Sequence, residues 1–331
     1  MADTERFMVT GGAGCIGAWV VRNLIKSNIP TLLFDKSLHM KRLELILSPE
    51  ELTRINIYQG DISRFEDVEK AVKENQITHI IHLAALQLPF CKADPVAGAQ
   101  VNVVGTVNIF EVCKRMGIRN LSYASSTAVY GLSEDYPDGK LEHAAKLMPR
   151  SHYGFYKQAN EGNAMVYWMD DNLPSIGLRP YVVYGAGRDQ GMTSTPTKAI
   201  LAAIAGRPYH ISYGGRYCFQ YADDVAKVFI QAARKVKTGS QVYNIGGKSV
   251  STEQVISAIE NELPSAKGKI TFSDIPLPFP PEVDNIELEK ILGTYPDTPL
   301  SVGVRETISI FEQAIIDGRI SKSDMDTQLK V

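Results

Sequence analysis

The stretch Phe7-Met8-Val9-Thr10-Gly11-Gly12-Ala13-Gly14-Cys15-Ile16-Gly17 decides the fold. Its first residues form a short apolar run of the kind that fills a buried strand. Glycines at G-x-x-G-x-x-G spacing then lead straight into Ile16–Ser27, whose apolar residues recur at helical period. Gly11 permits a tight turn, Gly14 lets backbone approach a phosphate, and Gly17 lets helix and strand pack closely. The unpaired N–H groups of the helix start then face whatever negative charge lies there.

Further strand-like runs follow at Thr31–Phe34, Asn56–Gln59, His79–Leu83, Leu121–Ser125 and Ile176–Val183. Helical segments separate them at Arg64–Asn75, Val96–Met116 and Tyr153–Asp171, with Ser63 and Glu66 spaced as a capping box. This alternation predicts an α/β chain with a doubly wound parallel sheet. After Gly185 the rhythm breaks into glycine- and proline-rich stretches such as Gly185–Gly191, Gly206–Gly215 and Pro276–Pro281. Helices are expected at Thr195–Ala205, Asp223–Lys235, Thr252–Glu262 and Val302–Ile316. The division expected is a nucleotide-binding domain over 1–185 and 222–245. A smaller, discontinuous C-terminal substrate lobe covers 186–221 and 246–331. The polar tail Gly318–Val331 is expected to be partly disordered.

Asp35 ends the second strand, where a carboxylate accepts both ribose hydroxyls of NAD and repels the 2′-phosphate of NADP. Lys36 beside it softens that preference. Asp61 and Ile62 follow the third strand, placed for an adenine amino group and an adenine face. A plain capping role for Asp61 is the alternative. Leu83, Ala84 and Ala85 are short enough to let a cofactor lie on the backbone. With Gly11, Gly14, Cys15, Ile16 and Gly17 they form the candidate NAD site.

Tyr153 and Lys157 stand at i and i+4, so hydroxyl and ammonium share a helical face. A free phenol ionises near about 10, too high for a neutral-pH base. A neighbouring cation and a positive nicotinamide ring are expected to lower that value. The phenolate can then take the proton of a substrate hydroxyl while the carbon gives up its hydride. A hydroxyl of Ser125-Ser126-Thr127, at the end of the fifth strand, can bind the same oxygen. Lys157 can also hold the cofactor ribose. A Tyr-x-x-x-Lys pair alone arises by chance in many helices; its company here makes chance a poor account.

With these segments in view, the chain resembles the extended short-chain dehydrogenases/reductases, the NAD-dependent epimerase/dehydratase family, from about residue 6 to 316. The resemblance rests on Thr10–Gly17, His82–Ala85, Ser125–Gly131, Tyr153–Lys157, Arg179–Gly185 and Tyr221–Ala226. It implies a Rossmann-type fold and catalytic Ser126, Tyr153 and Lys157. It also implies Asn102 on the helix behind the site, Ser125 at the strand end, and Pro180 and Val182 beside the nicotinamide. Members commonly pair through two helices, which here are Val96–Met116 and Tyr153–Asp171, so a homodimer is expected.

Departures from the family pattern bear on the reaction. Dehydratases carry an Asp–Glu pair where this chain has Ala128-Val129, so water elimination is not expected. Nucleotide-sugar 4-epimerases carry an asparagine where Val182 stands and an arginine where Tyr217 stands, with Arg216 one step out of register. Leu277–Val283 holds no arginine. A diphosphate needs matched donors or cations, so a smaller substrate is expected. The reading favoured is NAD-dependent oxidation of a secondary alcohol of a sugar, sugar acid or polyol. An epimerase that keeps its NAD is the alternative, and a non-catalytic NAD sensor the third. Candidate substrate contacts are Gln87, Ser126, Tyr153, Arg188, Thr193 and Arg216.

A net charge of -2 over 331 residues offers no footprint for nucleic acid or an anionic membrane. No unbroken apolar run nears the ~20 residues of a membrane span. The polar start Met1–Arg6 predicts no signal peptide. Cys15, Cys91, Cys113 and Cys218 show no C-x-x-C spacing and read as reduced thiols of a cytoplasmic protein. The histidines His39, His79, His82, His143, His152 and His210 form no ligand pattern, and no metal is expected.

Overall fold

The structure is a computed structural model that describes residues 5–329; Met1–Thr4 and Lys330–Val331, parts of the polar start and tail read above, lie outside the described residues. The strands are β1 (Phe7–Thr10), β2 (Thr31–Asp35), β3 (Asn56–Gln59), β4 (His79–His82), β5 (Asn120–Ala124) and β6 (Ile176–Arg179), then β7 (Val182–Tyr184), β8 (Tyr209–Ile211), β9 (Arg216–Tyr221), β10 (Val242–Asn244), β11 (Ser249–Ser251) and β12 (Ile270–Phe272). Seven of them form one sheet in the order β10-β6-β5-β4-β1-β2-β3. Every pairing in it is parallel. The chain winds outward from β1 to β3, then returns to β4 on the other side. Strand order therefore reverses between β1 and β4, where such sheets open a ligand crevice beyond the carboxyl ends.

Alternation along the strands builds a core on each face. Phe7 and Val9 of β1 pack with Trp19 and Leu24 of the helix Cys15–Lys26 and with Phe229 of the helix Ala222–Lys235. Met8 points oppositely, joining Leu32, Phe34, Ile80, Phe110 and Tyr123. Outside the main sheet, β11, β9 and β7 form a three-stranded sheet, while β12 and β8 pair separately.

The expected strand Ile176–Val183 is two strands. Pro180 has no N–H to give to a ladder, and its carbonyl instead accepts from Thr127 N. Beyond it the chain leaves the main sheet, and β7 pairs with β9.

The expected helix Val96–Met116 runs as Pro95–Ala99, a π-helical turn Gln100–Val104, and Gly105–Met116. Among the described residues, the 22-residue span Pro95–Met116 is the one helix long and apolar enough to cross a membrane; half of its most apolar stretch is buried inside the protein. Two asparagines, a glutamate, a lysine and an arginine punctuate it, so it does not stand out as an unbroken apolar run.

Ser63 makes no capping box. Its N–H and hydroxyl both donate to Asp61 Oδ1, a carboxylate being the stronger acceptor, and Arg64 occupies the cap position. The described part of the tail is ordered. Ser321 and Asp324 form a capping box on the helix Lys322–Gln328, and Lys41 pairs with Asp324.

Candidate functional site

The glycine loop lies at the strand-order reversal. A Cβ on Gly11 would sit 2.7 Å from Ala84 N, so only glycine allows β1 and β4 to bring their exits together. Gly17 packs its backbone against Gly11, leaving no room for a side chain. Gly14 caps the helix Cys15–Lys26 without any side-chain hydrogen bond, and the first turn carries no acid. Open N–H groups beside a cradle that excludes Cβ atoms fit a dinucleotide pyrophosphate. Cys15 and Ile16, half-buried, are the first residues of this helix.

Asp35 closes β2 and accepts from Ala13 N and Ser37 N at 3.2 Å each, which turns its carboxylate toward the loop. Lys36 Nζ lies 2.7 Å from Asp61 Oδ2, so each of these two partly satisfies the other. Ile62 is buried against Gly105, and its carbonyl accepts from Asn108. Leu83 and Ala84 donate their N–H groups to Thr10 Oγ1 at 3.2 and 3.3 Å, while Ala85 follows half-buried.

Behind this strand end runs a buried relay that the sequence reading missed. Thr10 Oγ1 lies 2.7 Å from His82 Nδ1, and His82 Nε2 lies 3.0 Å from Thr106 Oγ1. The Thr106 hydroxyl and Asn160 Nδ2 both donate to the Asn102 carbonyl. The Asn102 side chain, turned inward from the π-helical turn, accepts from Leu86 N at 2.7 Å and donates to Leu86 O at 2.9 Å. It therefore fixes the backbone just before Gln87.

The catalytic candidates come together at the exit of β5. Ser126 caps the short turn Thr127–Val129, accepting from Ala128 N at 3.2 Å. Ser151 caps the helix His152–Asp171 by accepting from Gly154 N at 3.1 Å. The backbone of Gly154 rests on the Ala128 carbonyl, where any Cβ would collide. That contact sets Tyr153 beside Ser126. Lys157, one turn on, lies 5.7 Å from the Tyr153 ring centre and donates to Ala124 O at 2.6 Å.

Burial pushes the Tyr153 phenol above its ordinary value, while the Ser126 side chain and the Arg188 cation pull it back. Burial also pushes Lys157 down to about 8. Ser126 and Arg188, rather than Lys157, are the chain's own groups that pull the phenol down.

The same helical face carries Glu161, a further turn beyond Lys157 and absent from the sequence reading. Glu161 takes the Ser125 hydroxyl and both Nε and Nη2 of Arg179, at 2.8 and 2.6 Å. Arg179 Nη1 donates to Tyr130 Oη, which donates to Asn244 Oδ1. The spacing Tyr153, Lys157, Glu161 was the available signal, since i, i+4 and i+8 share a face.

Of the remaining candidates, Pro180 adjoins the Ser126 turn through Thr127, and Val182 is buried in β7 against Phe219 of β9. Gln87, Arg188 and Thr193 are gathered. Arg188 Nη2 donates to Thr193 Oγ1 at 2.9 Å, and the Gln87 amide fills the space where a Gly191 side chain would stand. Arg216 is not among them. It is exposed at the start of β9 and donates to Ser249 O at 2.8 Å. Tyr217 is fully buried, its hydroxyl 2.5 Å from Thr252 Oγ1.

The family model for the NAD dependent epimerase/dehydratase family matches residues 7–246. A UDP-glucose 4-epimerase of Mycolicibacterium smegmatis is 29% identical to this chain, over 92% of it and 98% of the relative. The solved UDP-glucose 4-epimerase of Thermus thermophilus, in complex with NAD, matches with a TM-score of 0.77 and 26% identity, covering 93% of this chain and 99% of that one. A UDP-N-acetylglucosamine 4-epimerase from Methanobrevibacter ruminantium gives 0.80 and 25%, covering 93% and 98%.

Proposed function

Because the chain belongs to the NAD dependent epimerase/dehydratase family, and is an NAD-dependent enzyme of its extended short-chain dehydrogenase/reductase type, we propose that it oxidises a secondary alcohol of a sugar, sugar acid or polyol. The observation that carries this is the convergence of Tyr153, Ser126 and Lys157 at the exit of β5. Tyr153 takes the proton of the substrate hydroxyl, and Ser126 holds the same oxygen as it becomes a carbonyl. NAD, when bound, accepts the hydride. Lys157 holds the cofactor ribose and keeps a donor beside the phenol. Gly11, Gly14, Cys15, Ile16 and Gly17 hold the pyrophosphate. Asp35 takes the ribose hydroxyls, with Lys36, Asp61 and Ile62 toward the adenine. Leu83, Ala84, Ala85, Ser125, Pro180 and Val182 border the rest, and Asn102 supports them from behind.

Residues 1–185 and 222–245 form the cofactor-binding part, and 186–221 with 246–331 the substrate-binding part. A small substrate is favoured because the buried Tyr217 occupies the place where a diphosphate-binding arginine is expected. The UDP-glucose and UDP-N-acetylglucosamine 4-epimerases among the similar proteins favour a second reading. In it the ketone is reduced again on its opposite face before release. The apolar side chains exposed on two neighbouring helices, Val96, Val104, Phe155, Val166 and Met169, support a homodimer. The free cysteines support a reducing, cytoplasmic location. The acid–base balance supports small-molecule partners rather than nucleic acid or membrane.

One experiment separates the readings. Purified protein is mixed with NAD⁺ and a panel of sugars, sugar acids, polyols and UDP-sugars. NADH absorbance growing with a free sugar, acid or polyol supports the dehydrogenase. Interconversion of a UDP-sugar without net NADH supports the epimerase. NAD binding without turnover of any member overturns both.

A further inference from the structure

Arginine offers a side-on fork, the Nε–H and one Nη2–H pointing the same way, that matches the two oxygens of a carboxylate. This chain uses that edge repeatedly. Arg179 gives Nε and Nη2 to the two oxygens of Glu161, Arg234 to those of Glu5 and Arg305 to those of Glu262, while Arg42 turns the same edge to one oxygen of Asp189. Arg188 breaks the pattern. Its Nε is buried without any hydrogen-bond partner, its Nη2 meets only the Thr193 hydroxyl, and no carboxylate pairs with it among the described residues. Arg188 as a whole is half-buried, but a guanidinium N–H shielded from water and left without an acceptor is costly unless an anion arrives to complete it.

The surroundings indicate which anion. Arg188 lies in a glycine-shaped loop: Gly187 and Gly191 have φ of +87° and +93°, and the Arg188 N–H donates to the Gly185 carbonyl at 3.0 Å. Across Gly191 stands the Gln87 amide, on the segment that Asn102 fixes after β4. The field of Arg188 reaches the Tyr153 phenol. Cation, hydroxyl and amide thus stand together, with the Tyr153 phenol and Cys15 of the helix Cys15–Lys26 both within reach of the cation's field. The cofactor's own phosphates already have the uncapped helix Cys15–Lys26 to receive them.

We infer that Arg188, with Thr193 and Gln87, forms a clamp for a carboxylate carried by the substrate, so that the alcohol oxidised belongs to a small hydroxy acid of the sugar-acid class. This rests on the reading that Tyr153 and Ser126 hold the reacting alcohol. It narrows that reading from sugars, sugar acids and polyols to the acids.

The test pairs aldonates of four to six carbons with their alditols, which keep the hydroxyls and lose the carboxylate. Wild-type protein is expected to favour the acid in kcat/KM by about a hundredfold, a margin that R188Q erases and R188K only partly restores. In parallel, thermal unfolding of the NAD⁺-loaded protein is followed with each aldonate and alditol. The aldonate is expected to raise the midpoint of the wild type but not of R188Q. Equal use of acids and alditols, or no Arg188-dependent shift with any aldonate, overturns the clamp. Loss of NAD⁺ affinity in R188Q by tenfold or more assigns the guanidinium to the cofactor and also overturns it. An Arg188-dependent shift without NADH formation leaves the clamp standing and removes the oxidation reading instead.

Discussion

The Glu161 carboxylate and the Arg179 guanidinium meet edge to edge, 2.6 Å from Oε2 to Nη2, with side chains only 8% and 5% exposed. The pair joins the helix that bears Tyr153 and Lys157 to the end of β6, and through Ser125 to the end of β5. Removing one partner strands a buried charge, whereas removing both leaves only a packing defect. Glu161→Gln is therefore expected to destabilise the fold by about 3–5 kcal/mol. The double variant Glu161→Leu, Arg179→Met should recover much of that loss. Urea unfolding midpoints of the three proteins check it. A double variant no more stable than the single one would mean that the charge itself is not what the site guards against.

Tyr153→Phe keeps the ring and deletes the proton acceptor. Turnover on any substrate found should drop by about a thousandfold, within the range for a positioned general base. Ser126→Ala should cost less, about a hundredfold, since it removes one donor to the forming carbonyl. NAD⁺ affinity, followed by fluorescence titration, should change little in either. Retained turnover in Tyr153→Phe excludes the phenol as base.

Much of this site was legible in the sequence, and the parts that were not share a cause. The glycine loop, Asp35, Ser126, Tyr153 and Lys157 each depend on residues close in sequence, a turn or an i+4 step. The missed features depend on distant chain segments. Glu161 reaches Arg179 across 18 positions and His82 reaches Thr10 across 72. Helical spacing places Glu161 on the right face but does not name its partner. The strand break at Pro180 was readable in principle, because a residue without an N–H cannot serve a central ladder. The apolar run around it masked the signal. The ordered tail was missed because Lys41 and Arg207, which hold Asp324 and Asp326, come from far upstream.

In the proposed cofactor site Asp35 and Lys36 oppose each other in selecting between NAD and NADP, and their settings differ. Lys36 is engaged with Asp61, whereas Asp35 faces the glycine loop through Ala13 N. Asp35→Ser should raise the KM for NAD⁺ and narrow the preference over NADP⁺ by about tenfold or more, as the repelling charge is lost. Asp35→Ser, Lys36→Arg should narrow it further. Steady-state kinetics with both cofactors measure this, and an unchanged ratio would take Asp35 out of the ribose site.

The proposed dimer rests on an exposed apolar face, with Phe155 at 56% and Met169 at 61% exposure on one helix and Val96 at 73% on its neighbour. Charges introduced there meet no cost in a monomer but are desolvated in a pair. Phe155→Asp with Met169→Asp should shift sedimentation from dimer to monomer while circular dichroism stays unchanged. A wild-type protein that sediments as a monomer at micromolar concentration removes the proposal.

His82 gives a pH dependence with a definite sign. Burial between Thr10 and Thr106 pushes its imidazole down to about 3 from an ordinary 6.5, with the Lys157 cation adding to the same direction. The folded chain thus keeps His82 neutral, while the unfolded chain protonates it as pH falls below 6.5. Between those values the unfolded state binds the extra proton, so the contribution of His82 to stability is whole above pH 6.5. It declines as the pH falls toward 3, by up to about 1.4 kcal/mol per pH unit. Other groups also titrate in that window, so the wild type must be compared with His82→Gln, which cannot take the proton. The variant is expected to be less stable at pH 7, through its disturbed contacts with Thr10 and Thr106. Its stability should nevertheless fall less steeply between pH 6.5 and 4.5, the two slopes differing by close to one proton. Parallel slopes would mean that His82 charges inside the fold, and that the relay behind the β4 exit tolerates a cation.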